Sequence, residues 1–162
     1  MGQISIKTLI VGVLCMAIIG ILILPGCGET ECSESTKTAV YVNFYKKSNL
    51  AAHTDTLSVY GLSNDSLLYK EKAEKSLELP LRLNSDTTVY VFRFLLNAKT
   101  DFINDTVTII HRNNERFISE SCGCAMFYII DDVNFTRGHI DSISVNDTTV
   151  TNEKRENIRI FF

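Results

Sequence analysis

Apolar and polar residues alternate along much of the chain beyond residue 38. Val40, Val42 and Phe44 are separated by more polar neighbours, and leucines occupy every second position between residues 77 and 83. Successive side chains of a β-strand point to opposite faces of a sheet, so a period of two is typical of strands with one buried face. The pattern therefore predicts strands at 40–45 and at 77–83.

Less regular alternation predicts further strands, separated by turn-forming Asn, Asp, Ser and Gly. These segments are 56–60, 87–96, 106–112, 116–121, 124–130, 140–145 and 157–162. Only residues 68–75 offer a helical turn, and Pro80, which lacks an amide hydrogen, is expected on an edge strand or at a bulge. We predict an all-β domain over residues 38–162, an antiparallel two-sheet β-sandwich of about nine short strands.

The first 26 residues have a different pattern. Lys7 precedes an uncharged apolar run from Leu9 to Leu24, which is about 16 residues long, whereas a helix needs ~20 to cross a bilayer. This layout predicts a helical lipoprotein signal peptide over residues 1–26. The sequence from Leu24 to Cys27 resembles the bacterial lipobox, with Pro25 in place of the usual Ala, Ser or Thr. The alternative, an uncleaved signal anchor, gives the domain the same location.

The lipobox predicts lipid on Cys27 and a lipidated tether over residues 27–37. Glu29 and Glu31 resemble the acidic tether that directs lipoproteins to the cell surface in Bacteroidetes-type bacteria. The expected location is the cell envelope, with the lipid anchored in the outer membrane on its periplasmic or its surface-facing leaflet. The membrane is therefore the first expected partner.

Charged residues exclude one class of partner. Lys and Arg number 16 against 19 Asp and Glu, and the basic residues are scattered along the chain. Nucleic-acid binding proteins concentrate basic residues on one face. We therefore expect no nucleic-acid partner.

Six of the nine aspartates precede Ser or Thr and then an apolar residue or Thr. One interpretation is structural, because Asp closes turns and the residues after it open strands. The other is modification, since the triplet resembles the acceptor motif of protein O-glycosylation in Bacteroidetes-type bacteria. The candidate acceptor hydroxyls belong to Thr56, Ser66, Thr87, Thr106, Ser142 and Thr148.

Three cysteines remain for the folded domain, Cys32, Cys122 and Cys124. In an oxidising compartment Cys32 is expected to pair with one of the other two, and we favour Cys122. Cys124 is then expected to be a buried free thiol. The alternative is thiol-redox chemistry at Cys122 and Cys124. These two cysteines could also form a metal site with Cys32 and one histidine, His53, His111 or His139.

Other candidate chemistry is weak. His53, His111 and His139 stand far apart and are expected to be ordinary surface or strand-end residues. The pair Asp131-Asp132 is expected in a solvated turn, with a calcium-binding loop as the alternative. The sequence contains no nucleophile elbow and no phosphate-binding glycine loop. We therefore expect no enzymatic activity, no cofactor and no metal.

Several short motifs occur in an order that resembles a family of small Bacteroidetes cell-envelope lipoproteins of unknown function. They are the lipobox cysteine, a second cysteine five residues later, a strand at 39–45, the segment 118–123, and residues 151–153 leading into 158–162. The resemblance covers nearly the whole mature chain. It implies a β-rich envelope domain in which Cys32 and Cys122 are the matching pair and Cys124 is an extra cysteine. It implies no activity.

Together these patterns favour a membrane-anchored extracytoplasmic lipoprotein that serves as a non-catalytic binding or structural module. The expected partner, beyond the membrane, is an envelope protein or a glycan. Tyr41, Tyr45, Tyr90 and Phe92 are candidates for an exposed contact surface, although aromatic residues at a period of two more often lie in a core. The alternative function is a thiol-redox or metal-binding envelope protein that uses Cys122 and Cys124.

Overall fold

The structure, a computed structural model, describes residues 31–53, 55–62, 66–97 and 101–162. The predicted signal peptide at 1–26 and the predicted lipidation site at Cys27 lie outside the described residues. Cys32–Phe162 form one unit. In its described part the regular elements are ten strands: β1 (Val40–Tyr45), β2 (Asp55–Gly61), β3 (Ser66–Glu74), β4 (Ser76–Leu79), β5 (Thr87–Asn97), β6 (Asp101–Ser119), β7 (Gly123–Phe135), β8 (Ser142–Val145), β9 (Thr149–Val150) and β10 (Glu156–Phe161).

These strands form two sheets that pack as a β-sandwich, which confirms the predicted fold class. The larger sheet has six strands in the order β3-β2-β5-β6-β7-β9, and the smaller has four in the order β4-β1-β10-β8. Among the described strands, neighbours pair in an antiparallel manner except β1 and β10, which pair in parallel from Tyr41 to Tyr45. The sandwich is therefore antiparallel with one parallel pair of strands.

The core lies between the two sheets, where the alternating apolar residues of both face each other. Val42 and Phe44 of β1 and Ile158 and Ile160 of β10 contribute from the smaller sheet. From the larger sheet the buried residues include Leu57, Val59, Tyr90, Phe92, Phe94, Val107, Ile109, Tyr128 and Ile130. Side chains at the outward positions of the same strands point away from this core.

Local sequence explains most of these strands. β5 is dominated by threonine, valine and aromatic residues, which fit the pleated and half-buried surface of a sheet. β4 ends at Leu79, and Pro80 follows directly on the edge of the smaller sheet. A proline at an edge interrupts no central pairing, as the sequence predicted.

Two predictions about local structure are wrong. Residues 68–74 of the predicted helical turn lie in strand β3, because pairing with β2 at the sheet edge outweighs the helical preference of its charged residues. The predicted strands at 106–112 and 116–121 are one strand, β6, since Asn113 and Asn114 continue the pairing with β7 instead of forming a turn. The short strand β9 was not predicted.

β6 and β7 form a long hairpin with two different ends. At its near end, residues 101–111 and 128–135, the inward side chains enter the core. At its far end, residues 112–127, every β6 side chain from Arg112 to Phe117 is exposed. The hairpin turns at Cys122, and Gly123 then adopts a φ of 70°, a conformation that favours glycine.

Candidate functional site

A disulfide between Cys32 and Cys122 joins the start of the unit to the turn of the β6–β7 hairpin. The two Cα atoms lie 4.7 Å apart. Two hydrogen bonds also hold this segment. Thr38 Oγ1 donates to the carbonyl of Met126 on β7 at 2.7 Å, and Asn152 Nδ2, from the segment after β9, donates to the carbonyl of Ser35 at 2.9 Å. Residues 32–38 are therefore fixed to the far end of the hairpin.

Cys124 is a free thiol, but it is exposed and not buried as expected. It lies opposite Phe117, itself 66 % exposed, because the far end of the hairpin extends beyond the core. Since Cys122 is bonded to Cys32, the structure does not join Cys122 to Cys124. Within the described ranges, no three His, Cys, Asp or Glu side chains group closely enough to hold a metal ion.

Asp131 and Asp132 lie within β7 and not in the predicted solvated turn. Asp131 accepts hydrogen bonds from the guanidinium of Arg112 on β6 at 2.8 to 3.0 Å. These bonds lower the pKa of the Asp131 carboxyl. Asp132 accepts from the amide of Val133 at 2.9 Å and from Asn134 at 3.1 Å. Cross-strand and local pairing thus account for both carboxylates.

His111 also differs from expectation, because it is fully buried. Its Nε2 lies 2.9 Å from Thr88 Oγ1, and its Nδ1 lies 2.9 Å from Asn113 Oδ1. Burial is the main cause that lowers the pKa of this imidazole. His111 lies at the register shift between β6 and β7. Because it is buried and both ring nitrogens have neighbours, we assign it to the scaffold.

Four aspartate triplets fit the structural interpretation. Asp55 begins β2, Asp86 and Asp141 directly precede β5 and β8, and Asp147 lies two residues before β9. Asp65 lies outside the described residues. Among the candidate acceptor residues, Ser66 and Thr148 are exposed, and the half-buried ones are Thr56, Thr87, Thr106 and Ser142.

Asp105 is the exception, because it lies inside β6 and is fully buried. Its carboxylate accepts four hydrogen bonds, from Thr136 Oγ1 at 2.8 Å and from the amides of Gly138, His139 and Ile140 at 2.6, 2.6 and 2.9 Å. Burial opposes ionisation, but the four donors outweigh it and hold the pKa of Asp105 below its usual value. Asp105 therefore closes the loop that follows β7.

The outer face of the smaller sheet carries a second saturated carboxylate. Glu156 accepts hydrogen bonds from Asn43 Nδ2 at 2.6 Å and from the Tyr45 hydroxyl at 2.5 Å, and it pairs with Arg159. The hydrogen bond to Glu156 is the main cause that raises the pKa of Tyr45. Tyr41 and Tyr45 are half-buried on this face. Tyr90 and Phe92, the other two candidates for an exposed aromatic surface, lie in the core.

The outer face of the larger sheet contains a groove lined by an arginine instead of a carboxylate. It has a volume of about 350 Å³ and is lined by Tyr60, Leu62, Val91, Arg93 and Asn104, and we call it the Arg93 groove. The lining residues of β2, β5 and β6 alternate with core residues, so they point away from the core.

Arg93 has unusual surroundings in this groove. Its guanidinium carbon lies 3.8 Å from the centre of the Phe102 ring, which is a close cation–π contact. Its Nε–H is shielded from solvent and donates to no acceptor in the part of the chain that the structure describes. A buried donor without an acceptor is uncommon in proteins, and each case needs a physical reason.

Sequence reasoning missed Arg93, although a signal was present. Val89, Val91, Arg93 and Leu95 occupy the outward register of a central strand, opposite the aromatic core positions. An arginine between apolar residues on the outward face of a central strand is the sequence pattern that could have indicated this site.

Comparisons with known proteins give a family and no activity. The model of a family of unknown function, DUF6452, matches residues 56–162, which is more than half of the 162 residues. No curated protein and no solved structure matches the chain. Among the residues described here, no helix has the length and apolar composition needed to span a bilayer.

Proposed function

The chain belongs to the DUF6452 family, whose description gives no activity, and we propose from its own residues that it is a lipid-anchored, non-catalytic binding module of the cell envelope. Lipid on Cys27 holds it to the outer membrane, and the sandwich binds an envelope protein or a glycan. The observation that carries the proposal is the disulfide between Cys32 and Cys122, because Cys32 follows the lipobox cysteine by only five residues in sequence.

The tether is short. Cys27 and Cys32 are five residues apart, and five extended residues span at most about 17 Å. A disulfide at Cys32 then keeps the far end of the hairpin within that distance of a lipid on Cys27. Each buried methylene contributes about 0.8 kcal/mol, so an acylated cysteine with two or three chains holds the protein firmly to a membrane.

The Arg93 groove lies toward the other end of the same hairpin. Asn104, which lines the groove, precedes Ser119 at the end of β6 by 15 residues, and an extended strand of that length covers roughly 50 Å. Twist and bulges shorten this distance, but the groove still lies well away from the tether. This arrangement supports a module that presents its binding surface to a partner beyond the membrane surface.

Intact mass measurement of the full-length protein, isolated from its native membrane, tests the lipid anchor. We expect the mass of residues 27–162 plus lipid, one disulfide, and a single thiol that alkylates without reduction, Cys124. Sugar masses on the same molecule would support modification of the aspartate triplets. Recovery of the unprocessed chain, with Met1 attached and no lipid, would contradict the proposal.

Matched variants sharpen this test. Cys27→Ser should abolish the lipid mass and release the protein from membranes, whereas Cys124→Ser should leave both unchanged. Loss of a disulfide in native protein, with three reactive thiols in the domain, would instead favour thiol-redox chemistry at Cys122 and Cys124.

A further inference from the structure

We infer that the Arg93 groove binds a compact ligand that carries a carboxylate, with the guanidinium of Arg93 as its recognition group. The inference names the ligand chemistry of the binding role proposed above, and it rests on that role but not on the lipid anchor. It begins from the unsatisfied Nε–H of Arg93.

Within residues 31–53, 55–62, 66–97 and 101–162, no carboxylate is paired with this guanidinium. Arg112 pairs with Asp131 at 2.8 Å and Arg159 pairs with Glu156, so arginines on both sheets find carboxylates where these are available. Asp105, close to Arg93 along the neighbouring strand, faces the core, because successive residues of β6 point to opposite faces. Its four hydrogen bonds are made on that other face. Among the residues that the structure describes, Arg93 is therefore a cation without a paired anion.

Phe102 fixes the orientation of the guanidinium. A flat ring 3.8 Å from the guanidinium carbon restricts the rotamers of a side chain that is otherwise flexible. Arginine presents a rigid fork of N–H donors that matches the two oxygens of a carboxylate. Holding the fork in place before binding reduces the entropy that binding must overcome.

The rest of the lining limits the body of the ligand. Leu62 and Val91 are apolar, and Tyr60 and Asn104 add an aromatic ring and an amide. The volume of about 350 Å³ is near the lower end of ligand sites, which run from roughly 300 to 1,000 Å³. The groove thus suits one sugar ring or one amino-acid residue, and its ligand is an acidic sugar or a peptide carboxyl terminus with an apolar last residue.

Titration of the detergent-solubilised full-length protein tests the inference, with the ¹⁵Nε resonances of arginine as the readout. The probes are D-glucuronate for the sugar source and N-acetyl-leucine for the peptide source. D-glucose and N-acetyl-leucine amide serve as their neutral counterparts, and inorganic phosphate tests for general anion binding. We expect one carboxylate to shift the Arg93 resonance saturably at millimolar concentration or below, and its neutral counterpart to have no effect.

Substitutions separate this site from general electrostatic attraction. Arg93→Gln should weaken binding at least about tenfold, because it removes the charge-assisted hydrogen bonds. Arg116→Gln is the matched control, since Arg116 also lies over an aromatic ring, Phe127, but at the far end of the hairpin. It should leave binding unchanged.

Asn104→Asp gives a second test that does not require loss of the arginine. Asn104 is the direct cross-strand partner of Arg93 on the same face, so a carboxylate there would pair with the guanidinium. The variant should unfold at a higher temperature than the native protein and lose the ligand response.

Several outcomes would overturn the inference. They are no saturable shift with either carboxylate up to roughly 10 mM, equal binding of the neutral counterparts, a stronger response to phosphate, or undiminished binding in Asn104→Asp. If the protein carries lipid but fails these tests, the inference about the groove is wrong and the proposed anchor still stands. If the protein carries no lipid but passes them, the anchor is wrong and the inference about the groove still stands.

Discussion

The two ends of the β6–β7 hairpin are held by different forces. At the near end, Val107 and Ile109 lie in the core and the buried Asp105 accepts four hydrogen bonds. At the far end, the β6 side chains from Arg112 to Phe117 are exposed. Apolar burial therefore stabilises one end and contributes little to β6 at the other.

The far end buries Ala125 and Phe127 of β7, and it is also held by covalent and polar links to residues 32–38. The disulfide reaches its turn at Cys122, and Thr38 bonds the backbone of β7 at Met126. A strand that leaves a core loses the hydrophobic contribution to its stability, so such links take its place. We therefore expect the far end and the near end of the hairpin to lose their structure separately.

Removal of the disulfide has the largest expected effect. The bridge closes a loop with a sequence separation of 90 residues, for which chain entropy gives roughly 4 to 5 kcal/mol. The Cys32→Ser/Cys122→Ser double variant should lose up to that much free energy of unfolding in chemical denaturation. Native-state hydrogen exchange should show the first loss of protection at 113–126, with 105–111 protected longer. Equal loss of protection along the whole hairpin would contradict the difference between its two ends. Cys124→Ser is the control, because it removes a thiol but no disulfide.

Asp105→Asn should lower the free energy of unfolding by about 2 to 4 kcal/mol by weakening the near end. An amide cannot accept from all four donors, because its own NH₂ group faces two of them. The measurement is again the free energy of unfolding. Asp132→Asn, an exposed strand position on β7, should change it by less than about 0.5 kcal/mol. If both variants are equally stable, the carboxylate of Asp105 does not hold the loop at 138–140.

The smallest expected effect is a dependence on acid. Because the folded pKa of Asp105 lies below the ordinary value of about 3.9, its stabilisation is complete above that pH and disappears as the pH falls through the folded pKa. The gap in stability between native protein and Asp105→Asn should therefore narrow below about pH 4. Glu156, whose pKa is also lowered, titrates in both proteins and cancels. A gap that is constant with pH would contradict this assignment.

The sequence predicted the parts of the fold that depend on local alternation. Inward Val42 and Phe44, or Val107 and Ile109, are recognisable because a half-buried strand repeats every second residue. Strand β3 was missed because this edge strand is mostly exposed and carries no such repeat. The length of β6 was missed because Asn113 and Asn114 are turn residues by composition and are overruled by pairing with β7.

The candidate site was less predictable for a related reason. Asp105 has the same triplet as five other aspartates, and only the tertiary fold brings the amides of residues 138–140 to it. Arg93 becomes notable only when the described residues around it are seen to leave its Nε–H without an acceptor. Local sequence reports the face on which a side chain lies, but not which donors or acceptors distant segments bring to it.

The parallel pairing of β1 with β10 has a consequence for biosynthesis. β1 leaves the ribosome early, yet its neighbour on one side, Glu156–Phe161, is made more than a hundred residues later. Until then Val42 and Phe44 have no completed sheet to enter. A chain with this connectivity can complete its smaller sheet only near the end of its synthesis.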